Sequence, residues 1–178
     1  MPSARNNPCL LAVYALSGVV NQRTAAAVVL VLIGLLALVL LVSPPPWLVE
    51  PGPYDTANVT LRDENGTDLA TVEVHIADTR AKRVTGLSDT DSLSPGEGML
   101  FVHSREGTRS YVMRDMAFPL DIAFVDSEGT ITTIHHAARD ADGTFEGRGQ
   151  YVLEVPRGWT NRTGVAVGDT VLVPDDVD

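Results

Sequence analysis

The sequence contains only one cysteine, Cys9, which lies before a long apolar run at residues 25–42. No disulfide can therefore form in the region after that run, and a cysteine nucleophile is excluded there. Lipid attachment to a cysteine directly after the run is excluded for the same reason. Lysine is equally rare, because Lys82 is the only lysine among 13 basic residues. Arginine and the carboxylates must therefore supply most of the charged groups.

The motifs of common enzyme classes are also missing. There is no G-x-S-x-G elbow, no H-E-x-x-H zinc motif, no P-loop and no Rossmann fingerprint. A calcium-binding D-x-[DN]-x-[DN]-G loop is absent as well. The adjacent His135 and His136 would point to opposite faces of a strand, so they cannot both bind one metal ion without a bulge. These absences favour a non-enzymatic role without excluding an enzyme, and we expect neither a metal nor a cofactor.

Basic charge is scarce from Trp47 to Asp178. This region holds all 23 acidic residues against 11 of the 13 basic ones, a formal charge of −12. Such a surface repels nucleic acid, so we expect no nucleic-acid partner. The carboxylate excess, with arginine in place of lysine, predicts a halophilic and haloarchaeal source. A high-GC genome would favour arginine and alanine too, and the two causes often coincide.

Residues Ala25 to Val42, AAAVVLVLIGLLALVLLV, form a run without a charged side chain. At about 1.5 Å per residue, a helix of this length reaches roughly 27 Å, close to the roughly 30 Å hydrocarbon core of a bilayer. We therefore expect one transmembrane helix, ended by the prolines at 44–46. The run is longer than the apolar part of a signal peptide, which favours a retained anchor over a cleaved signal.

The apolar run divides the sequence into four parts. These are a short cytoplasmic segment at 1–24, the span at 25–42, a Pro- and Gly-rich linker at 43–57 and one domain at 58–178. A second apolar run at 9–20 is too short to cross a bilayer. We hypothesise that the true start of the protein lies near Val19 or Val20, which would leave a short basic segment before the span.

The distribution of charge predicts the orientation of this span. Arg5 and Arg23 precede it, whereas no basic residue follows it until Arg62. The positive-inside rule then places the N-terminus in the cytoplasm and the domain outside the cell membrane. The three N-glycosylation sequons all fall on the outer side, at Asn58, Asn65 and Asn161. We expect a single-pass protein whose bilayer contact is made by residues 25–42.

Short alternating segments predict β-strands after the linker. In Leu69 to Ala77 apolar and polar residues alternate with the period of a half-buried strand. Residues 121–137 indicate a hairpin whose turn ends at Gly129. Further strands are expected at Gly98–His103, Arg109–Met116 and Tyr151–Pro156.

Two short helices complete this outline. Asp78 or Thr79 can cap a helix that Gly86 ends, and residues Trp159 to Thr163 can form one further turn. Many short strands with one or two short helices indicate a mainly β fold. We expect a small antiparallel β barrel-like domain after the transmembrane helix.

Several polar residues near the predicted strands are candidates for a ligand-binding site. The candidate residues are Glu97, Tyr111, Met113, Arg114, Asp121 and Glu154. Glu154 lies inside an apolar strand, where an unpaired charge is costly to bury, so it must face solvent or find a partner. Arg114 and Asp121 could join it in a pocket for a polar ligand. The alternative is a set of structural ion pairs that fix the loops.

Five ordered blocks between Thr71 and Val173 carry a resemblance to a known family. They are V-E-V-H-I-A-D-T-R-A-K-R-V-T-G-L, G-E-G-M-L-F-V, Y-V-M-R-D-M-A-F-P-L-D-I-A-F-V-D, Q-Y-V-L-E-V-P-R-G-W and V-G-D-T-V. This region resembles the DUF192 family, a widespread domain of unknown function. The resemblance implies a small β-rich and often exported domain. One departure is that Arg114-Asp115 stands where the family usually has Lys-Asn, and arginine keeps the charge with a different hydrogen-bonding geometry.

Two classes of function remain open. The first is a membrane-anchored binding or accessory module that holds a polar small molecule, an envelope polymer or a membrane protein partner. The second is a hydrolase acting on an envelope or extracellular substrate, with two of Glu97, Asp121 and Glu154 as acid and base. Two carboxyl groups roughly 5 to 10 Å apart in one pocket would favour the hydrolase.

Overall fold

The structure is a computed structural model that describes residues 22–43, 51–174 and 177. The expectations about the segment before residue 22, including a start near Val19 or Val20, and about most of the linker lie outside the described residues. The chain divides into two compact units, residues 1–45 and residues 46–178, which we describe separately.

The described part of the first unit is one helix, α1, at Gln22–Val42. Its large apolar side chains are exposed, from 43 % at Leu40 to 81 % at Leu41. Judged on the described side chains, which begin at Ala26 in α1, no helix is long and apolar enough to cross a membrane. The membrane span stays a prediction of the sequence.

The second unit is built on one curled sheet of seven strands. The strands are β1 (Thr56–Arg62), β2 (Asp68–Ala77), β3 (Glu97–Tyr111), β4 (Leu120–Val125), β5 (Ile131–Ala137), β6 (Phe145–Pro156) and β7 (Thr170–Leu172), with helices α2 (Arg80–Thr85) and α3 (Trp159–Thr163). Their order across the sheet is β5-β4-β6-β3-β2-β1-β7. A bridge between Thr130 and Thr170 brings the two ends of the sheet together. The prediction of a mainly β, barrel-like fold is confirmed as a half-barrel.

The sheet is mainly antiparallel, with one parallel pair. Strands β2 and β3 run parallel, with His75 opposite Met99 and Ala77 opposite Phe101. Parallel neighbours need a crossover connection of a dozen or more residues, which residues 78–96 supply. That crossover contains α2 and covers one face of the sheet, where it forms part of the cavity described below.

The helix α2 forms where the capping residues predict it. The Thr79 side chain accepts a hydrogen bond from the Lys82 backbone N–H at 3.2 Å, and Gly86 ends the helix with φ 52°. The predicted helix at Trp159–Thr163 is confirmed as α3. The hairpin of β4 and β5 is confirmed too, since the Asp126 carboxylate accepts from the backbone of Glu128 and Thr130.

Two expectations about strand limits are wrong. The strand β1 begins at Thr56, inside the predicted linker, where the sequence analysis predicts no strand. The predicted strand Arg109–Met116 belongs to β3 and stops at Tyr111, because Asp115 takes a left-handed conformation with φ 57° in the turn that follows. Arg114 therefore lies on a turn, and the strand alternation does not fix its direction.

Both faces of the central strands are buried. On one face Leu100, Leu153 and Val155 belong to the core inside the half-barrel. On the other face Phe101 and Val152 belong to a second core, packed against residues of the crossover and of the turn after β3. Strands covered on both faces consist of nearly continuous apolar residues, as the wholly buried β4 does. A charged residue in such a strand needs a specific explanation.

Candidate functional site

A cavity of about 280 Å³ opens on the second face of the sheet. Strands β3 and β6 form its floor, and the end of α2 and the turn after β3 form its sides. Its lining residues are Arg83, Val84, Thr85, Gly86, Leu87, Ser88, Phe101, His103, Arg109, Ser110, Tyr111, Val112, Arg114, Met116, Leu120 and Glu154. This volume is near the lower end of the range of small-molecule sites.

Two side chains join the walls of this cavity. Arg114 Nη2 donates to the Val84 carbonyl at 3.1 Å, and the Ser88 hydroxyl donates to the Arg114 carbonyl at 3.1 Å. The chain passes close to the floor at Gly86, where an added Cβ would lie 3.2 Å from the Phe101 ring. Because Gly86 also has a positive φ, a larger residue there is disfavoured on two grounds.

Glu154 is a carboxyl group buried in this cavity. Glu154 follows Leu153 in β6, and it is only 6 % exposed. Among the described residues, no hydrogen bond or ion pair reaches its carboxyl. Burial raises the pKa of Glu154 to about 8. The group is therefore mostly protonated at neutral pH and can donate a hydrogen bond into the cavity.

His103 and Tyr111 form a hydrogen-bonded pair beside Glu154. The His103 Nε2 atom lies 3.0 Å from the Tyr111 hydroxyl. Burial, reinforced by Arg109 and Arg83, lowers the pKa of His103 to about 4. Burial and then the Glu154 carboxyl raise the pKa of Tyr111 well above its usual range. Both rings are uncharged at neutral pH.

Two arginines bring positive charge into the cavity, and a third lies at its rim. Arg83 donates to the carbonyls of Val102, at 2.7 Å, and Asp78. Arg109 donates to the carbonyls of Gly149, at 3.4 Å, and Arg105. These are neutral partners, and within the described residues neither arginine has a carboxylate at ion-pair distance.

The comparisons with known proteins identify the domain. The family model DUF192, described as an uncharacterized ACR, matches residues 60–173. The chain belongs to the DUF192 family. The resemblance in the sequence blocks is thereby confirmed, and the match covers almost the whole sheet of the second unit.

Two solved structures resemble this DUF192 protein. One, from Sinorhizobium meliloti 1021, is described as a putative transcription regulator; it is 30 % identical with a TM-score of 0.64, and the match covers 67 % of this chain and 94 % of that one. The other, a protein of unknown function from Novosphingobium aromaticivorans DSM 12444, is 25 % identical with a TM-score of 0.62, covering 72 % and 96 %. The comparison with curated proteins found no match.

The structure of the DUF192 domain brings three of the six sequence-derived candidates together. Tyr111, Arg114 and Glu154 all line the cavity. Met113 is 7 % exposed and packs in the second core beside it. Glu97 lies elsewhere, at the start of β3, where its carboxylate accepts from the Ser94 backbone N–H at 2.7 Å. That bond holds the pKa of Glu97 below its usual range.

Asp121 lies on the opposite face of the sheet from Glu154. In the pairing of β4 with β6, Asp121 is opposite Val155 and Ile122 is opposite Glu154, so alternation separates the two carboxyl groups. Asp121 is fully buried beside α3, where its carboxylate accepts from the hydroxyl and backbone N–H of Thr160 at 2.8 and 3.1 Å. These hydrogen bonds connect β4 to α3.

Sequence reasoning missed three titratable residues of the cavity: Arg83, His103 and Arg109. Arg109 shared a predicted strand face with Tyr111, so the alternation within β3 was a usable signal for it. Arg83 had no such signal, because the parallel crossover that brings α2 to the cavity was not predicted. His103 forms a hydrogen-bonded pair with Tyr111, which depends on the folded strand.

Proposed function

We propose that this protein is a membrane-anchored binding module, whose DUF192 domain lies outside the cell and holds a small polar ligand in the cavity around Glu154. The observation that carries the proposal is the Glu154 carboxyl, 6 % exposed and without a partner in the described residues. Since no buried side-chain oxygen or nitrogen of the described residues lacks a hydrogen-bond partner, the carboxyl oxygens of Glu154 are open to the cavity. A ligand in the cavity can therefore accept a hydrogen bond from the protonated carboxyl.

The construction of the cavity supports binding rather than a purely structural role. A structural ion pair would place a cation against Glu154, but the nearby arginines donate to backbone carbonyls instead. Apolar walls with a few convergent polar groups are the usual composition of a small-molecule site. Leu87, Phe101 and Leu120 provide such walls here.

The hydrolase alternative lacks its second carboxyl group. Glu154 is the only acidic residue among the described residues that line the cavity. Asp121 is on the other face of the sheet, and the Glu97 carboxylate, at the start of β3, accepts from the Ser94 backbone N–H. Acid–base hydrolysis by two carboxylates requires both of them at the same substrate bond. The binding module is therefore the better proposal.

The membrane anchor is supported by α1 together with the apolar run. Large apolar side chains from Val28 to Val42 are at least 43 % exposed. Water-exposed patches of this kind are rare in soluble proteins, and a bilayer would cover them. The arginines before the run, with no basic residue after it until Arg62, support an external domain. We include the halophilic source and the external location in this proposal.

The Sinorhizobium relative is described as a transcription regulator. We do not extend this description to this chain, because a formal charge of −12 from Trp47 onward opposes approach to a phosphate backbone. Absence of a nucleic-acid partner remains our expectation, and a filter-binding assay with duplex DNA would test it.

The binding proposal is tested by thermal unfolding of the full-length protein in detergent against metal ions, sugars, nucleotides, organic acids and envelope fragments. A ligand at 100 times its dissociation constant should stabilise the fold by about 2.7 kcal/mol. The shift should disappear in Glu154→Leu, which removes the O–H donor, and weaken in Arg114→Ala. The matched control is Arg139→Ala, an exposed arginine outside the cavity. Shifts that survive both cavity changes would contradict the proposal.

Location is tested separately, by alkaline carbonate extraction of membranes and by protease treatment of intact cells. A retained anchor keeps the protein in the carbonate-washed pellet, and an external domain is degraded without lysis. Release by carbonate would contradict the anchor, and protection from the protease would contradict the orientation.

A further inference from the structure

The charge of the cavity is opposite to that of the region around it. From Trp47 onward acidic residues outnumber basic ones by 23 to 11. The residues lining the cavity nevertheless include three arginines, Arg83, Arg109 and Arg114, and one carboxyl group. A ligand in the cavity therefore meets a local surplus of positive charge within a strongly negative domain.

The two inner arginines are held in place without being neutralised. Arg83 and Arg109 are only partly exposed, and both donate hydrogen bonds to backbone carbonyls. A guanidinium has five N–H donors, so these bonds leave donors free for a ligand. Arg114 differs, because it is 60 % exposed and its Nε lies 3.6 Å from the Asp115 carboxylate. The uncompensated charge is therefore in the interior.

The floor of the cavity is uncharged and partly apolar. Protonated Glu154 offers a single O–H donor, while His103 and Tyr111 use each other as partners. Phe101 and Leu120 present apolar surface next to these groups. The complementary molecule has an oxyanion, a short carbon skeleton and one further acceptor oxygen. The volume of about 280 Å³ limits it to a compact molecule.

We infer that the cavity binds a small organic oxyanion, a carboxylate or a phosphate monoester, with its charged oxygens on Arg83 and Arg109 and another oxygen accepting a hydrogen bond from Glu154. This inference rests on the proposed binding function and specifies its ligand class. Arginine suits such a ligand because its planar fork can donate two parallel hydrogen bonds to one carboxylate or phosphate.

The inference includes a dependence on pH. The titratable and charged groups that line the cavity are Arg83 from α2, His103, Arg109 and Tyr111 from β3, Arg114 from the following turn and Glu154 from β6. The arginines keep their charge throughout, and the two rings stay neutral at and above neutral pH. Ionisation of Glu154 places a negative charge beside the bound anion. Affinity should therefore fall as pH rises above about 8.

The test compares each anion with a neutral molecule of the same skeleton, by calorimetry on the full-length protein in detergent. The probes are lactate with lactamide, glycerol 3-phosphate with glycerol, and inorganic phosphate alone. We expect at least one organic anion to bind and its neutral counterpart to bind at least tenfold more weakly. Arg109→Gln should reduce anion affinity at least tenfold, whereas the exposed control Arg139→Gln should leave it unchanged. In Glu154→Gln the fall above about pH 8 should disappear.

The outcomes separate this inference from the binding function on which it rests. Binding of lactamide or glycerol equal to that of the anion, with both lost in the cavity variants, would overturn the anion inference and leave the binding module standing. Absence of any anion binding would overturn the inference, and a blank result across the full ligand panel would overturn the binding function as well. If Arg109→Gln fails to fold, Arg109→Lys retains the charge without the fork and should still weaken binding.

Discussion

Asp121 and His136 face each other across β4 and β5, with the Asp121 Oδ1 atom 2.7 Å from His136 Nδ1. The other carboxylate oxygen receives the hydroxyl and backbone N–H of Thr160. Burial by itself raises the pKa of Asp121, but the bonds from His136 and Thr160 outweigh it and hold that pKa below its usual range. This one side chain therefore links the sheet to α3.

Replacing Asp121 with Asn should destabilise the domain by about 2–3 kcal/mol at pH 7, the value of charge-assisted hydrogen bonds. Because the folded pKa lies below the unfolded value near 3.9, the contribution is complete above about pH 4 and is lost as pH falls through the folded pKa. The difference in unfolding free energy between Asp121→Asn and the original protein should therefore shrink below about pH 4. Urea unfolding followed by circular dichroism measures it, with the exposed Asp140→Asn as control. An unchanged difference at low pH would contradict the lowered pKa of Asp121.

Glu154→Gln should stabilise the folded domain at alkaline pH. The folded pKa of Glu154, about 8, lies above the unfolded value near 4.3, so stability falls as pH rises between these two values. Removing the titration should raise the unfolding free energy by about 3–5 kcal/mol at pH 8 and have little effect at pH 4. Unfolding curves at the two pH values test this.

The matched control for that prediction is Glu146→Gln, the same change at an exposed position of β6. It should leave the pH dependence of unfolding as it is. A variant Glu154→Gln that is less stable at pH 8 would show that the carboxylate has a stabilising partner after all.

Lys82→Ala should release the segment before β1 from the domain. The Lys82 ammonium lies 3.1 Å from Asp78, 3.7 Å from Asp55 and 5.7 Å from the centre of the Tyr54 ring, and its side chain is only 8 % exposed. Losing these contacts should cost about 2 kcal/mol and speed proteolysis near Tyr54. Limited proteolysis with chymotrypsin measures this. The exposed Arg80→Ala is the control, and an equal cleavage rate in both variants would contradict the prediction.

Asn65 should be the sequon that is modified most completely. It lies in the exposed turn between β1 and β2, where its backbone N–H donates to Asp63 at 2.9 Å. Asn58 is within β1, which is paired on both sides, and Asn161 is within α3. Mass spectrometry of peptides from native membranes gives the occupancy of each site, and Asn65→Gln should remove the most glycan. Glycosylation of Asn58 while Asn65 stays unmodified would contradict this prediction.

The local features of the fold could be predicted from the sequence, because local chemistry determines them. Alternation located β2, and the cap at Thr79 and the glycine at 86 fixed the limits of α2. The parallel pairing of β2 with β3 could not be predicted, since alternation is the same in parallel and antiparallel strands. The strand β1 was overlooked although Val59 and Leu61 are fully buried, because its apolar pattern is short and adjoins a linker rich in Pro and Gly.

The candidate site could be predicted only in part for a related reason. Glu154 was notable as a carboxylate among apolar residues, and Arg114 and Tyr111 lay in a polar block. Whether Asp121 joins them depends on the register between β4 and β6, which pairs it with Val155 and turns it away. The register between strands that are distant in sequence cannot be predicted from a single sequence.

The pairing of β1 with β7 has a consequence for biogenesis. Thr60 pairs with Leu172 and Leu61 with Val171, so the first strand of the domain needs the last strand as its outer neighbour. A nascent chain still held at its C-terminal end cannot finish this sheet. Contacts so distant in sequence slow folding, so the sheet is completed only after β7 has been synthesised. Truncation at residue 169 should accordingly leave an open and aggregation-prone edge at β1.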